Sequence, residues 1–389
     1  MVTLNSADKA LKTLYLGVVS EQLNTEINPL LAKIKQTTAD VWGKEVRRVA
    51  QYGINGGVGA GTEDGELPIA AGNNYEQLVS TLKNLYGTIE ISDKAMRASS
   101  NDAGAFVNLL NAEMEGLLKA SSYHFGRMLF GDGTGILASV ISAAGTTTTC
   151  VDVKNIIEGV VVDFITAAGE KISGATGRRV LAVDRVNNNF TVSGSELPAS
   201  IVTGTKIVVQ GSYNNEITGL GAIFKTTGSI YGLNRSTNKW LIPYIKNNVG
   251  EISETTIQAA IDYLEENAGS KVNFIVCSSG VKRAFQQHLA AYKRNVDVMD
   301  LKGGYKAISY NGIPIVSDRF CPNGTMYLLN TDDFALHQLC DWKWLEGEDG
   351  KVIKQVAGKP VYTATLVKYA DLICSRPCGQ AMLSGIAEA

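Results

Sequence analysis

The stretch from Gly104 to Gly135 constrains the fold more than any other part of the chain. Apolar residues recur in it at steps of three and four, and no proline interrupts it. This spacing predicts an amphipathic helix of roughly 27 residues, about 40 Å long. Asn101 and Asp102 stand where an N-cap is needed, and Gly131 and Gly133 favour termination because glycine adopts left-handed backbone angles. We expect this helix to span its domain and to support a sheet.

The composition is that of a folded protein. The chain has 389 residues, of which 45% are hydrophobic and 19% charged, which predicts two or three domains. A net charge of -2 argues against a protein that binds nucleic acid through a basic surface, although not against one that encloses it. The first residues do not resemble a signal peptide, and no apolar run is long enough to cross a bilayer. We therefore expect synthesis in the cytoplasm and no membrane partner.

The residue types that usually carry chemistry are scarce. The sequence contains six cysteines and three histidines. Cys374 and Cys378 lack the spacing of a zinc or redox motif. His337 and Cys340, three residues apart in a predicted strand, are not placed for a catalytic pair. The sequence therefore predicts no catalytic, metal or cofactor site, and a protein that is not an enzyme.

Two β-like segments, 44–52 and 75–92, flank a glycine-rich segment. The intervening residues contain seven glycines, which predicts a long hairpin with a pliant tip. An isolated two-stranded ribbon is marginally stable in water, so this hairpin is expected to lie on another surface, and we assign that surface to another copy of the chain. The preceding arm has two short amphipathic patterns and is expected to pack either on its own body or on a neighbour.

The glycine-rich segment fits no phosphate-binding motif, and no Lys or Arg occurs between Gly53 and Ser80. Its charged residues and the one beside it are acidic: Glu63, Asp64, Glu66 and Glu76. If the tip docks on a neighbouring subunit, it requires cations there. The candidates in or beside the long helix are Lys94, Arg97, Lys119 and Arg127. The alternative is a solvated, flexible loop.

The rest of the chain contains three segments with different sequence patterns. Residues 151–219 are rich in valine and turn residues, which predicts a compact β module. Residues 219–358 alternate between helical and strand patterns, with a helix that begins after Ser253 and ends at Gly269. The segment VYTATLVKYADLICSRP predicts a long closing strand.

This order of elements, with FGDGTG at the end of the long helix and NGIP at 311–314, resembles the major capsid proteins of tailed bacteriophages with the Hong Kong 97-like fold. The resemblance implies an α+β fold with an inserted small β-barrel-like domain. The implied segments are an N-terminal arm (1–43), an extended-loop β-hairpin (44–92), a peripheral domain with a spine helix (93–140), the inserted domain (145–218), an axial domain (219–358) and a return strand (359–389).

Two features depart from the archetype of that family. In the archetype, a Lys of the extended loop is crosslinked to an Asn of another subunit, whereas no Lys occurs here between Gly53 and Ser80. The lattice is therefore expected to be non-covalent. The archetype also has a long N-terminal scaffolding segment, whereas only about forty residues precede the hairpin here. We expect a separate scaffolding protein or the processing of a longer precursor.

The resemblance implies a structural protein of the Caudoviricetes virion. Its copies would self-assemble into pentamers and hexamers of an icosahedral capsid that encloses double-stranded DNA without sequence-specific binding. Its partners would be further copies, a scaffolding protein, a portal protein and, in some members, a decoration protein, with assembly in the host cytoplasm. The alternatives are an encapsulin-like nanocompartment shell and, more remotely, an enzyme with a β accessory domain.

Overall fold

A computed structural model describes residues 28–94, 103–291, 298–300, 306–347 and 350–389 of the chain. The fold is mixed α+β. The described residues form two compact units. The first lies within residues 1–82, 86–119 and 223–389, and the second comprises residues 83–85 and 120–222.

The helices confirm the main sequence prediction. They are α1 (Ala103–Phe130), α2 (Leu220–Ile223), α3 (Glu254–Ala268) and α4 (Ser279–Ala291). Helix α1 is the predicted long helix and has 28 residues. Its proposed N-cap residues, Asn101 and Asp102, lie outside the described residues. The predicted ends of α3 are also correct, because Ser253 accepts the N–H of Thr256 and Gly269 has a φ of 55°.

The strands are numbered in chain order. The first eleven are β1 (Lys35–Thr37), β2 (Val41–Trp42), β3 (Glu45–Tyr52), β4 (Asn74–Thr81), β5 (Lys83–Ser92), β6 (Ile136–Ala144), β7 (Thr147–Cys150), β8 (Val161–Ile165), β9 (Arg178–Asp184), β10 (Asn189–Val192) and β11 (Lys206–Val209). The others are β12 (Ser229–Ile230), β13 (Leu233–Asn234), β14 (Tyr244–Lys246), β15 (Phe274–Cys277), β16 (Val298–Asp300), β17 (Lys306–Tyr310), β18 (Ile313–Ser317), β19 (Met326–Leu329), β20 (Phe334–Trp344), β21 (Lys354–Gln355), β22 (Val361–Cys374) and β23 (Ala381–Leu383).

A five-stranded sheet of the first unit packs against the long helix. Its order is β1-β20-β22-β21, and β5 also pairs with β22. Met114 and Leu118 of α1 are buried in one cluster with Ile89 of β5, Trp344 of β20 and Leu366 of β22. The helix therefore supports a sheet, as its apolar stripe predicts.

The strand predicted over 75–92 is divided in the structure. β4 pairs with β3, whereas β5 pairs with β22. Between them Leu82 is buried, and its N–H donates to the Lys44 carbonyl over 2.9 Å. A second difference concerns β20, which lies in the segment 219–358 predicted as one domain but pairs antiparallel with β22 of the predicted return strand. Pairing partners depend on burial between distant segments, which local periodicity does not encode.

A seven-stranded sheet carries the remaining two long helices. Its order is β14-β23-β19-β15-β18-β17-β16. Apolar residues of α3 and α4 share one buried cluster with alternate residues of β15, β18 and β19, so both helices pack on one face. The NGIP segment forms the β17–β18 turn, where Asn311 and Gly312 have φ values of 50° and 78°.

The second unit contains a closed six-stranded barrel. The strand order is β10-β7-β6-β11-β8-β9, and the pairs between neighbours are antiparallel. Its interior is filled by apolar side chains, including Phe164 and Phe190, whose rings stack with centroids 6.3 Å apart. The barrel begins with β6 at Ile136, earlier than residue 145. Closure leaves no unpaired sheet edge.

The described part of the N-terminal arm packs on its own chain. Leu30, Leu31 and Ile34 are each at most 5% exposed, and β1 pairs in parallel with β20. His337 Nδ1 lies 3.0 Å from the Ala39 carbonyl oxygen, to which it can donate. Of the two surfaces expected for the arm, these residues therefore pack on their own chain and not on a neighbour. Residues 1–27 of the predicted arm lie outside the described part.

Candidate assembly surface

β3 and β4 form a two-stranded ribbon with a regular antiparallel register from the Glu45–Thr81 pair to the Tyr52–Asn74 pair. Side chains alternate between its two faces. One face, here the inner face, buries Val46, Ala50 and Leu78. The ribbon therefore lies on its own chain along this face.

Three contacts anchor the ribbon. The Val79 N–H donates to the Tyr231 carbonyl over 3.0 Å. The Ser80 hydroxyl donates to the buried carboxylate of Asp371. Tyr52 stacks on Trp240 with ring centroids 5.2 Å apart and an interplanar angle of 5°. The expectation that the whole hairpin needs another copy for support is therefore wrong for the strands. Only the segment that connects the strands is still a candidate for contact with another copy.

That segment, residues 53–73, is called the tip. Its two arms run close together: a Cβ on Gly57 would lie 3.2 Å from the Ala71 amide nitrogen, and one on Gly59 would lie 3.1 Å from Pro68 Cγ. Contacts this short are tighter than most side chains tolerate, so glycine permits the narrow shape. The tip therefore continues the ribbon as a thin, two-armed extension.

The tip exposes apolar side chains that its own chain does not cover. Ile54, Val58, Leu67 and Ile69 are 84%, 88%, 89% and 89% exposed, respectively. Large apolar side chains exposed together on a short segment commonly mark an interaction site. The three tip carboxylates, Glu63, Asp64 and Glu66, are also exposed, whereas Glu76 is half-buried on β4. In the described part of the chain, none of these three carboxylates is ion-paired.

The four basic residues predicted to bind the tip of a neighbouring copy differ in their exposure. Lys94 and Lys119 are exposed, and Arg97 lies outside the described residues. Arg127 is buried, at 4% exposure, and its guanidinium is paired with the buried carboxylate of Glu216. The assignment of Arg127 as a docking cation is therefore corrected, because a buried, internally paired guanidinium is not presented to another subunit.

A second exposed surface was not predicted from the sequence. The outer face of the ribbon and of β2, which pairs with β3, carries Trp42, Val49 and Tyr75, with exposures of 71%, 63% and 59%. Arg47 and Gln77 belong to the same face through their cross-strand register. The sequence did not distinguish the two faces of the ribbon, because both faces of β3 carry apolar residues and either could have been buried.

The described residues offer contact surfaces rather than a metal-binding cluster. Within the described ranges, no group of three His, Cys, Asp or Glu side chains is placed to hold a metal ion. Burial raises the pKa of the Cys277 thiol to about 12, so this cysteine stays protonated at neutral pH. No helix in the described part of the chain is long and apolar enough to cross a membrane.

Comparison with known proteins agrees with this architecture. Residues 197–351 match the family model described as SU10 major capsid protein. No curated protein matches the chain. Among solved structures, the capsid of cyanophage A-1(L) is similar over 93% of each chain, with a TM-score of 0.56 and 13% sequence identity. At that identity the likeness shows the fold.

Two further capsid-like structures are less similar. The capsid of a native GTA particle matches 92% of this chain and 90% of its own, with a TM-score of 0.48 and 10% identity. The SrpI encapsulin of Synechococcus elongatus PCC 7942 matches 95% of each chain, with a TM-score of 0.47 and 11% identity. Neither likeness is close enough to carry an argument about function. The family match covers residues 197–351, less than half of the chain, and the likeness to the cyanophage capsid shows that nearly the whole chain has the Hong Kong 97-like fold.

Proposed function

We propose that copies of this chain self-assemble, as pentamers and hexamers, into an icosahedral capsid that encloses double-stranded DNA in a virion. The observation that carries the proposal is the tip, which projects from an anchored ribbon and exposes four apolar side chains and three carboxylates. Exposed apolar side chains do not stabilise a monomer. In a shell they contribute to stability, because the tip can be buried on an adjacent copy.

The energetics favour many contacts over a single one. Complete burial of a Val, Leu or Ile side chain contributes roughly 1.5–3 kcal/mol, so the four tip residues could contribute about 6–12 kcal/mol. Association of two proteins costs on the order of 4–15 kcal/mol. One tip contact therefore barely offsets the cost of association. In a closed ring each copy makes the contact twice, once by its own tip and once by that of a neighbour, which gives collective stability.

The proposal also accounts for the modest charge of the chain. Enclosed DNA is retained by confinement, so a net charge of -2 is compatible with a DNA-filled shell and sequence-specific contacts are not needed. The further partners proposed are a scaffolding protein, a portal protein and a decoration protein, with assembly in the host cytoplasm. We assign the chain no enzymatic activity, and the tip contains no Lys that could form an intersubunit crosslink.

Electron microscopy of the purified chain tests the proposal. Closed particles or rings of five and six subunits are the expected result, and a chain that stays monomeric at high concentration, with and without a co-expressed scaffolding protein, would overturn it. Nuclease-resistant double-stranded DNA in particles from infected cells would establish a genome shell. Particles filled instead with a co-purifying enzyme would indicate a cellular compartment.

The charge of the tip gives the first prediction. Neutralising it in the variant E63Q/D64N/E66Q removes three exposed carboxylates without touching a buried group. We expect lower particle yield and a lower melting temperature of the assembled shell, most clearly at low salt, because screening already weakens exposed charge pairs at high salt.

The matched control for this prediction is E170Q/E196Q/E266Q, which likewise neutralises three exposed carboxylates, all of them outside the ribbon and its tip. If yield and melting temperature of the tip variant equal those of the control at every salt concentration, the tip carboxylates have no part in docking.

A further inference from the structure

Three Asn–Gly pairs occur in the sequence, beginning at Asn55, Asn311 and Asn323. Asparagine is a thermolabile residue, because the backbone nitrogen that follows it can attack the carbon of its side-chain amide. A glycine in the following position has no Cβ to obstruct that approach. The surroundings of each pair therefore decide whether the reaction occurs in the folded chain.

The pair in the tip, Asn55 and Gly56, has few contacts that would oppose the reaction. Both residues are exposed, and they lie beyond the last pair of the ribbon, Tyr52 with Asn74. The Gly56 N–H meets no hydrogen-bond acceptor among the described residues. The backbone of Asn55 can therefore change its angles without breaking the ladder of the ribbon.

A neighbouring amide favours the same reaction. The Gly57 N–H donates to Asn55 Oδ1 over 2.8 Å. When the Gly56 nitrogen adds to Asn55 Cγ, negative charge develops on Oδ1, and a donor already aimed at that oxygen stabilises it. The donor is therefore in place before the reaction begins.

The other two pairs are held by hydrogen bonds. After Asn323, the Gly324 N–H donates to Glu388 Oε1 over 2.7 Å, and Gly324 is buried. Asn311 lies in the two-residue turn between β17 and β18, and its Nδ2 donates to Gln258 Oε1 over 3.2 Å. These bonds must open before the side chain can close on the backbone, so the rate falls with the population of the open form.

We propose that Asn55 is a self-modification site, which cyclises with Gly56 and is then hydrolysed by water. In the first step a bond forms between the Gly56 nitrogen and Asn55 Cγ. The bond from Cγ to Nδ2 breaks, and the amide leaves as ammonia together with the proton of the Gly56 N–H. In the second step water opens the five-membered succinimide at either of its carbonyl carbons. The product is aspartate or isoaspartate, and no oxidant or reductant takes part.

The modification changes the charge and the backbone of the tip. One carboxylate is added to the three that are exposed there, and isoaspartate also lengthens the backbone by one methylene. Ring closure requires the backbone to move, so burial of the tip on another copy should protect Asn55. This protection rests on the proposed shell function. The modification would then mark copies that have stayed unassembled.

Peptide mass spectrometry of the full-length chain tests the site. The chain, held below the concentration at which rings form, is incubated at pH 8 in heavy-oxygen water, and replacement of each –NH2 by a labelled hydroxyl is followed. We expect Asn55 to react at least about tenfold faster than Asn311 and Asn323, because hydrogen bonds that must first open slow a reaction by about that factor. Equal rates at the three sites, or no reaction at Asn55, would overturn the proposal.

Two glycine variants test which nitrogen attacks. Neither Gly56 nor Gly72 has a positive φ, and an added Cβ would lie 3.4 Å from Ala71 Cβ at Gly56 and more than 4 Å from any atom at Gly72. Both positions should therefore accept alanine. G56A obstructs the attacking nitrogen and should slow the reaction at Asn55 roughly tenfold, the effect of a barrier about 1.4 kcal/mol higher. G72A should leave that rate unchanged, and equal rates in the two variants would contradict attack by the Gly56 nitrogen.

Assembled particles separate the modification from the function on which its protection rests. In closed particles Asn55 should react several-fold more slowly than in the unassembled chain. If particles form but Asn55 reacts in them at the unassembled rate, the protection is overturned and the shell function stands. If no particles form, the shell function fails, while the rates in the unassembled chain still decide whether Asn55 is a modification site.

Discussion

At the scale of single residues, the second unit contains a buried ion pair. Arg127, near the end of α1, donates to Glu216 from both terminal nitrogens, one of them over 2.9 Å. The side chains are 4% and 2% exposed. A Cβ on Gly135, whose φ is 76°, would lie 2.7 Å from the Ser212 carbonyl oxygen and 3.3 Å from Glu216 Cδ. Glycine at the end of FGDGTG therefore leaves room for the segment that carries Glu216.

His124, one turn before Arg127, gives the prediction at this scale. Burial, and secondarily the positive charge of Arg127, lowers its pKa to about 4. In the unfolded chain the ordinary value is about 6.5, so between these values the unfolded state binds more protons. The contribution of His124 to stability is therefore full above pH 6.5 and is lost as the pH falls towards 4, by about 3 kcal/mol in total.

Urea unfolding of the wild type and of H124Q between pH 7 and pH 4.5 measures this effect. The difference in unfolding free energy between the two should shrink or change sign as the pH falls, because the introduced glutamine does not titrate while the carboxylates contribute equally to both proteins. Parallel pH profiles would show that His124 is not a buried neutral base.

At the scale of elements, the pairing of β20 with β22 contains a buried cation. The register shifts between Gln338 and Cys340 and again between Cys340 and Lys343, opposite the segment that carries Lys368. These bulges place Gln338 and Asp341 around the ammonium of Lys368, at 2.8 Å and 2.6 Å. Bulges commonly redirect side chains in this way. Burial lowers the pKa of Lys368, and Asp341 opposes that effect.

The two partners differ in exposure, and the difference predicts an asymmetry. The side chain of Lys368 is 2% exposed and that of Asp341 is 36% exposed. D341N deprives a buried ammonium of its carboxylate and should cost about 2–3 kcal/mol of unfolding free energy. K368M frees a carboxylate that can be hydrated, and should cost about 1 kcal/mol. Denaturant unfolding of both variants at pH 7 provides the comparison, and an equal or reversed order would contradict this account of the bulge.

At the scale of the whole molecule, the chain combines well-packed units with one segment that contributes little to the stability of its own fold. The ribbon is anchored at Val79, Ser80 and Tyr52, while Ile54, Val58, Leu67 and Ile69 of the tip remain exposed. Stability of the monomer and competence for assembly should therefore be separable.

Deletion of residues 56–71 tests this separation. Because Gly57 already approaches Ala71 closely, the two arms can be joined by a short turn. We expect the melting temperature of the unassembled chain to change by less than about 2 °C, since few buried contacts are lost. Rings and particles should be absent by microscopy. Assembly at the wild-type level would show that the tip is dispensable, and a large loss of monomer stability would show that it packs on its own chain.

The sequence predicted the elements better than their partners. The 3.6-residue periodicity over 104–135 gave α1, and Ser253 and Gly269 gave both ends of α3. These features depend on neighbours a few residues away, which a single sequence displays. The division of the predicted strand at Leu82 was missed, because it depends on β22, which lies almost 300 residues further along the chain.

The candidate site was predicted in part for the same reason. The glycine-rich composition and acidic charge of the tip are local properties, so the sequence alone determined that a glycine-rich, acidic segment connects two strands. Only the tertiary structure decided which face of the ribbon is buried, because Val46 and Val49 are equally apolar and the choice rests on what packs beneath. The tertiary structure also determined that Arg127 forms an ion pair with Glu216 of the same chain. A charged side chain can be buried only beside a partner, and folding brings that partner near.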